Sequence, residues 1–213
     1  MENFLRDNKE KLFVWFDWET ENLCLNECHN KPWELGLISY RNGKIEKEYH
    51  AYIKWPEGLN VSRQAAIITG FDPVKVQDLG KSPKEVLDVI DQEFNKADLI
   101  CGHNIIGFDN YVTQAVYRKL GQTPYNIVPK MLDTFPIAKA MKLEIPYNQT
   151  DNFQAWQYRL YHRIEKGLKT SLGVMGKELK IDHNYNTLHQ ALADIHLNIK
   201  VWDKLKWMIN IKE

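Results

Sequence analysis

The chain has 213 residues, 44% hydrophobic and 26% charged, a composition that excludes a disordered chain and suits one globular domain with a core of its own. Its 28 basic and 28 acidic residues cancel, which excludes a protein that coats nucleic acid through a basic surface. Cys24, Cys28 and Cys101 cannot all pair, the N-terminus lacks a long apolar signal segment, and no apolar run of about 18 residues occurs, so a reducing cytoplasmic setting and no membrane partner are expected.

In chain order, Lys11 to Trp18 is rich in aromatic and β-branched residues and predicts a strand. Leu35 to Tyr40 predicts a second and Ile45 to Lys54 a third. Between them, Arg41-Asn42-Gly43-Lys44 offers the positive φ that a hairpin turn needs. Ser82-Pro83 opens a helix at its N-cap and N1 positions; Glu85 completes a capping box, and Val86, Leu87, Ile90 and Phe94 form the apolar stripe. Asp98 to Cys101 predicts a short buried strand ending at Gly102, followed by a helix from Asp109 to Leu120. Met131 to Asp133 reads as another strand, and Thr134 to Met141, Ser171 to Leu179 and Leu188 to Met208 as helices. Antiparallel strands first, then alternating helix and strand, predict an α/β fold with a mixed sheet flanked by helices. Residues 1–213 are expected to form a single domain with its core at about 11–205.

Three stretches carry candidate chemistry. In Phe13-Val14-Trp15-Phe16-Asp17-Trp18-Glu19-Thr20, alternation on a strand makes Asp17 and Glu19 project together from its end. Adjacent carboxylates repel unless a cation binds them, and Mg²⁺ or Mn²⁺ takes such oxygen ligands; a solvated strand end is the alternative. In Leu99-Ile-Cys-Gly-His103-Asn104-Ile-Ile-Gly107-Phe108-Asp109, Asp109 stands where a helix begins, either as its N-cap or as a third ligand over the sheet end. In Leu188-His189-Gln-Ala-Leu-Ala-Asp194, the five-residue spacing of His189 and Asp194 spans roughly 140° around a regular helix, so they share no face. The spacing works when His189 sits on a loop or loose first turn and Asp194 inside the helix. A histidine beside a cation-bound water suits proton abstraction; a helix with an incidental surface histidine is the alternative.

Together these stretches resemble the DEDDh (DnaQ-like) exonuclease family on the ribonuclease-H-like fold, whose pattern is Asp-x-Glu-Thr, then His-Asn-(x)-Phe-Asp, then His-x-x-x-x-Asp. Ile68-Thr69-Gly70-Phe71, Leu132-Asp133-Thr134 and Ser171-Leu172-Gly173 also look like family segments, and the likeness covers about residues 11–205. Gln190 stands where the sister tyrosine branch carries its Tyr. The resemblance implies a metal-dependent 3′→5′ exonuclease that releases nucleoside 5′-monophosphates. Two divalent ions, Mg²⁺ or Mn²⁺, would be held by Asp17, Glu19, Asp109 and Asp194, with His189 as general base. Thr20, Leu23, Asn104 and Phe108 would meet the substrate, Leu23 as a wedge against the last base, although composition alone reads Leu23 as core. His103 and Asn104 also read as loop-shaping residues. The implied partner is a single-stranded or frayed 3′ end, with a polymerase or replication protein as a separate chain. DNA, in proofreading, repair or replication, is the expected substrate; an RNA-trimming enzyme and a non-catalytic nucleic-acid-binding module are the alternatives. Two departures stand out: Glu21-Asn22 replaces the family's common Thr-Gly, and Gly107 is one residue extra in the second motif.

Tyr147, Phe153, Trp156, Tyr158 and Tyr161 precede a run containing Arg159, Arg163, Lys166, Lys169, Lys177 and Lys180. Aromatics beside cations can stack bases and track a backbone; an amphipathic helix with its rings turned inward is the competing reading. Cys24, Cys28 and His29 form at most a zinc fragment, without a second ligand pair.

Overall fold

The computed structural model describes residues 5–6, 10–25 and 30–212, so Cys28 and His29 lie outside the described residues. β1 (Phe13–Thr20), β2 (Pro32–Arg41) and β3 (Lys44–Tyr52) form an antiparallel meander. Asn42 (φ 51°) and Gly43 (φ 75°) make the β2–β3 turn, the left-handed pair that a two-residue hairpin requires. Next come α1 (Arg63–Thr69) and α2 (Pro73–Leu79), seven residues each, which the periodicity did not predict. Their ends are nonetheless written in local chemistry. Ser62 caps α1 through the Ala65 N–H, Gly70 ends it at φ 69°, and the Asp72 carboxylate caps α2 at Val74 and Lys75 with Pro73 in the first turn. α3 (Pro83–Lys96) has the predicted reciprocal capping box of Ser82 and Glu85.

The chain continues through β4 (Leu99–Gly102), α4 (Asp109–Lys119), β5 (Met131–Asp133), α5 (Thr134–Lys142), β6 (Tyr147–Asn148), α6 (Phe153–His162), α7 (Leu172–Glu178), α8 (Ala191–Met208) and β7 (Ile211–Lys212). The main sheet has the order β3-β2-β1-β4-β5, with β4 parallel to β1 and β5 parallel to β4. This is the mixed, helix-flanked sheet expected. The two-residue strands β6 and β7 pair separately and tie the end of α8 to the chain after α5.

β1 is central, and its side chains alternate between two cores. Val14, Phe16 and Trp18 pack with α3 and α4, while Phe13 and Trp15 pack with α5, α6, α7 and α8. A residue such as Phe16, 1% exposed, contributes about 1.5–3 kcal/mol through burial. From Phe13 to Trp15 β1 is paired on both edges and covered on both faces, while its acidic end beyond Trp15 is paired with β2 alone.

α8 crosses this second face so closely that one residue beneath it must be glycine. A Cβ on Gly36 would lie 2.8 Å from the Ala191 carbonyl carbon and 2.9 Å from the Leu192 nitrogen. Gly36 pairs with Asp17 across β1 and β2. The missing side chain therefore lets the first turn of α8 settle beside the acidic end of β1.

Candidate active site

Past Trp15, the α8 face of β1 carries Asp17 and Glu19. The first turn of α8 delivers Asp194 to the same place: one carboxylate oxygen from each of these three residues lies within 4.8 Å of the others. Asp109 lines the same cleft, which measures about 370 Å³ and is walled also by Asn104, Phe108, Leu172 and His189. Asp109 is not the cap of α4. Phe108 occupies that position, and the Asp109 Oδ1 accepts a hydrogen bond from the Trp18 N–H at 3.1 Å, fastening α4 to β1.

The charges of this cluster are uncompensated. Burial first, and then Asp109, Glu19, Asp194 and Glu34, hold the Asp17 carboxyl well above the usual carboxylate range. Burial, then Asp194, Glu34 and Asp109, do the same to Glu19. Burial pushes Asp109 up to about 7, opposed by the Trp18 N–H. Burial pushes Asp194 up to about 7 as well, opposed by the His189 N–H. No lysine or arginine offsets any of the four among the described residues. An anionic, all-oxygen donor set without a protein cation fits a hard divalent ion such as Mg²⁺ or Mn²⁺.

His189 lies outside α8, which begins at Ala191 rather than Leu188. Its backbone takes φ 68°, a left-handed conformation that turns its N–H onto the Asp194 carboxylate at 3.2 and 3.3 Å. Burial lowers the pKa of its imidazole, so the ring is neutral at neutral pH and able to accept a proton. His103 also lies in the cleft wall, but its Nδ1 is 2.9 Å from the Thr134 Oγ1. Burial, opposed by the Thr170 backbone, pushes it down to about 4. It is a neutral part of the frame.

The loops beside the cleft are held by side chains whose part in fixing those loops the sequence reading did not assign. Asp133 is fully buried, and its two oxygens accept the N–H groups of Asn104 (2.7 Å), Ile106 (2.9 Å) and Phe135 (2.9 Å). It thereby holds Asn104 at φ 70° and aims the loop toward Asp109. Gly107, the extra residue, is explained by packing: a Cβ there would lie 1.9 Å from the Tyr161 hydroxyl. After β1, Thr20 spends its hydroxyl on the Asn22 carbonyl (2.6 Å) and on the Asn30 amide (3.0 Å). Glu21, the other departure, is 3% exposed. Its carboxylate accepts the backbone N–H groups of Lys31 and Asn60 and pairs with the Lys31 ammonium at 3.4 Å. Its charge is thus consumed within the loop. Leu23 is 47% exposed, which corrects the reading of that residue as core.

The aromatic segment mostly packs inward. Tyr147, Phe153 and Trp156 interlock with ring centroids 5.1–6.0 Å apart and are buried, while Tyr158 is exposed. Arg159 pairs with Asp151 and Arg163 with Glu165. Cys24 is an exposed free thiol and Cys101 a buried one. Among the described residues no helix is long and apolar enough to cross a membrane.

Comparison with known proteins gives the family and the fold. A family profile described as exonuclease, of the RNase T type, matches residues 14–202. The search of curated proteins yields no match. Among solved structures, the zinc-bound E. coli exonuclease I complex with single-stranded DNA aligns with a TM-score of 0.73 at 20% identity, covering 93% of this chain and 41% of that one. E. coli exonuclease I bound to a dT13 oligonucleotide gives 0.71 at 20% identity, covering 93% and 41%. An apo exonuclease I gives 0.70 at 21% identity, covering 92% and 42%. This chain therefore spans less than half the length of these structures, and at such identities the likeness is one of fold.

Proposed function

We infer, because this chain belongs to the exonuclease family, that it removes nucleotides one at a time from the 3′ end of a single DNA strand, in a cleft built on Asp17, Glu19, Asp109, Asp194 and His189. The observation that carries this reading is the meeting of carboxylate oxygens from Asp17, Glu19 and Asp194 within 4.8 Å, without a neutralising side chain among the described residues. The single-stranded DNA in the exonuclease I structures supports the choice of substrate. These four carboxylates would hold two divalent ions, Mg²⁺ or Mn²⁺. When bound, such ions supply charge stabilisation at the scissile phosphate and acidify the attacking water.

The chain's own residues do the rest. His189, neutral through burial, accepts the proton of the attacking water on an imidazole nitrogen while the water oxygen bonds to phosphorus. The P–O bond to the 3′-oxygen of the penultimate nucleotide breaks, that oxygen takes up a proton, and a nucleoside 5′-monophosphate leaves. Phe108 and Leu172 give the cleft an apolar wall on which the terminal sugar and base can rest. Exposed Leu23 stands beyond the end of β1, where it can wedge against that base. Asn104 contributes a polar edge.

The test uses 5′- and 3′-labelled DNA and RNA oligomers with Mg²⁺, Mn²⁺ or EDTA. The expected result is a ladder from the 5′-labelled DNA strand, labelled mononucleotide from the 3′-labelled one, and neither in EDTA. Asp17→Asn should abolish both. His189→Ala should lower turnover by about 10²–10⁴-fold with Mn²⁺ affinity, read by calorimetry, little changed. Undiminished cleavage by Asp17→Asn would remove the proposed site. A ladder on RNA alone would replace the DNA reading with an exoribonuclease.

A further inference from the structure

Glu34 carries none of the roles assigned above, yet it occupies a costly position. It lies on β2 directly across from Glu19 of β1 and is 6% exposed. Side chains opposite one another on an antiparallel pair share a face, with Cβ atoms about 4.5–5.5 Å apart, and like charges there destabilise the sheet. Only part of that cost is offset: His50 Nε2 lies 2.7 Å from Glu34 Oε1. Glu34 and His50 line a pocket of about 250 Å³ that reaches Gln190, Leu192 and Ala193 at the start of α8. Glu34 thus stands beside the turn that carries Asp194, while falling outside the group of oxygens that meet within 4.8 Å.

We propose that Glu34 is an electrostatic positioning residue for the cation site, adding a buried negative charge that tightens divalent-ion binding without ligating the ion. This rests on reading Asp17, Glu19, Asp109 and Asp194 as the cation ligands. A charge placed there has effects of opposite sign in the two states of the protein. With the site empty, Glu34 repels the ligands, since it faces Glu19 directly across the β1–β2 pair and borders the turn that carries Asp194. With divalent ions bound, the same charge attracts them. A residue that merely packed or hydrogen-bonded would stabilise both states alike.

Glu34→Gln separates these cases, because the amide keeps the shape and can still bond His50. The metal-free variant should melt at a higher temperature than the metal-free wild type. Its Mn²⁺ dissociation constant, measured by calorimetry, should rise about tenfold, the lower end of what outer partners of metal ligands contribute. Exonuclease activity lost at low Mn²⁺ should return as Mn²⁺ is raised. A metal-free variant that melts lower or fails to fold overturns the proposal, as does Mn²⁺ affinity equal to wild type. Asp17→Asn serves as the control. If it too binds Mn²⁺ like the wild type, the cation-site reading itself fails. If it loses Mn²⁺ while Glu34→Gln does not, only the assignment of Glu34 fails.

Discussion

At the scale of single residues, the site is organised around stored repulsion. Asp109 and Asp194 are held at about 7 by burial, against roughly 3.9 for an aspartate in an unfolded chain. Between those values the folded chain binds more protons than the unfolded one. Without metal, the stability these groups contribute therefore falls as pH rises from about 4 to 7 and is lowest above that window. A bound divalent ion removes the cost, because it favours the ionised carboxylates. The rise in melting temperature on adding Mn²⁺ should accordingly be larger at pH 8 than at pH 5. Circular-dichroism melts of EDTA-treated and Mn²⁺-loaded protein at both values check this, and equal shifts would contradict it. The strained backbone of His189 belongs to the same economy: its left-handed φ is held by the bond from its N–H to Asp194, so the proposed base is oriented by one of the proposed ligands.

At the scale of elements, the decisive contact is that of α8 on β2 at Gly36. A Cβ there meets backbone atoms of Ala191 and Leu192, which cannot rotate away. Gly36→Ala should therefore lift the first turn of α8, cost about 1–3 kcal/mol, and move Asp194 and His189 away from β1. Urea unfolding paired with the labelled-oligomer assay checks this, the expected outcome being a folded protein with little activity. Full activity would mean that the turn relaxes elsewhere. This contact also shows where the sequence was legible and where it was not. The strands of the meander, the Asn42-Gly43 turn and the Ser82–Glu85 capping box follow local rules and could be read directly. So could the projection of Asp17 and Glu19 from one strand. α1 and α2 escaped because seven residues hold too few turns to display a periodicity, although Ser62, Gly70 and Asp72-Pro73 mark their ends. The place of His189 outside α8 was legible in its five-residue spacing from Asp194, and its N–H bond to that carboxylate is local. The close approach of α8 at Gly36 and the pairing of Glu34 with Glu19 depend on packing and strand register, which no window along the chain contains. Asp133 lay within a stretch noted for family likeness, but its grip on the Asn104 loop needed the fold to become visible.

At the scale of the whole molecule, net charge is zero, and two arginines of the aromatic and basic segment, Arg159 and Arg163, are paired with acids. Lys169 is exposed and stands two residues before Ser171, which lines the cleft, so on the proposed function it should meet a phosphate of the bound strand. Lys169→Ala should weaken single-strand binding to a similar degree whatever the base sequence, and should reduce the slope of log affinity against log salt by about 0.7. Fluorescence anisotropy across a salt series checks this, and an unchanged slope would mean that Lys169 touches no phosphate. A further consequence follows from the span of chain between Asp17 and Asp194. During synthesis, a growing polypeptide that has already folded its central strand still lacks one of the four acids and the histidine. On the proposed assignment, such a half-made protein would not cut a strand, and would gain that power only when its last long helix docks.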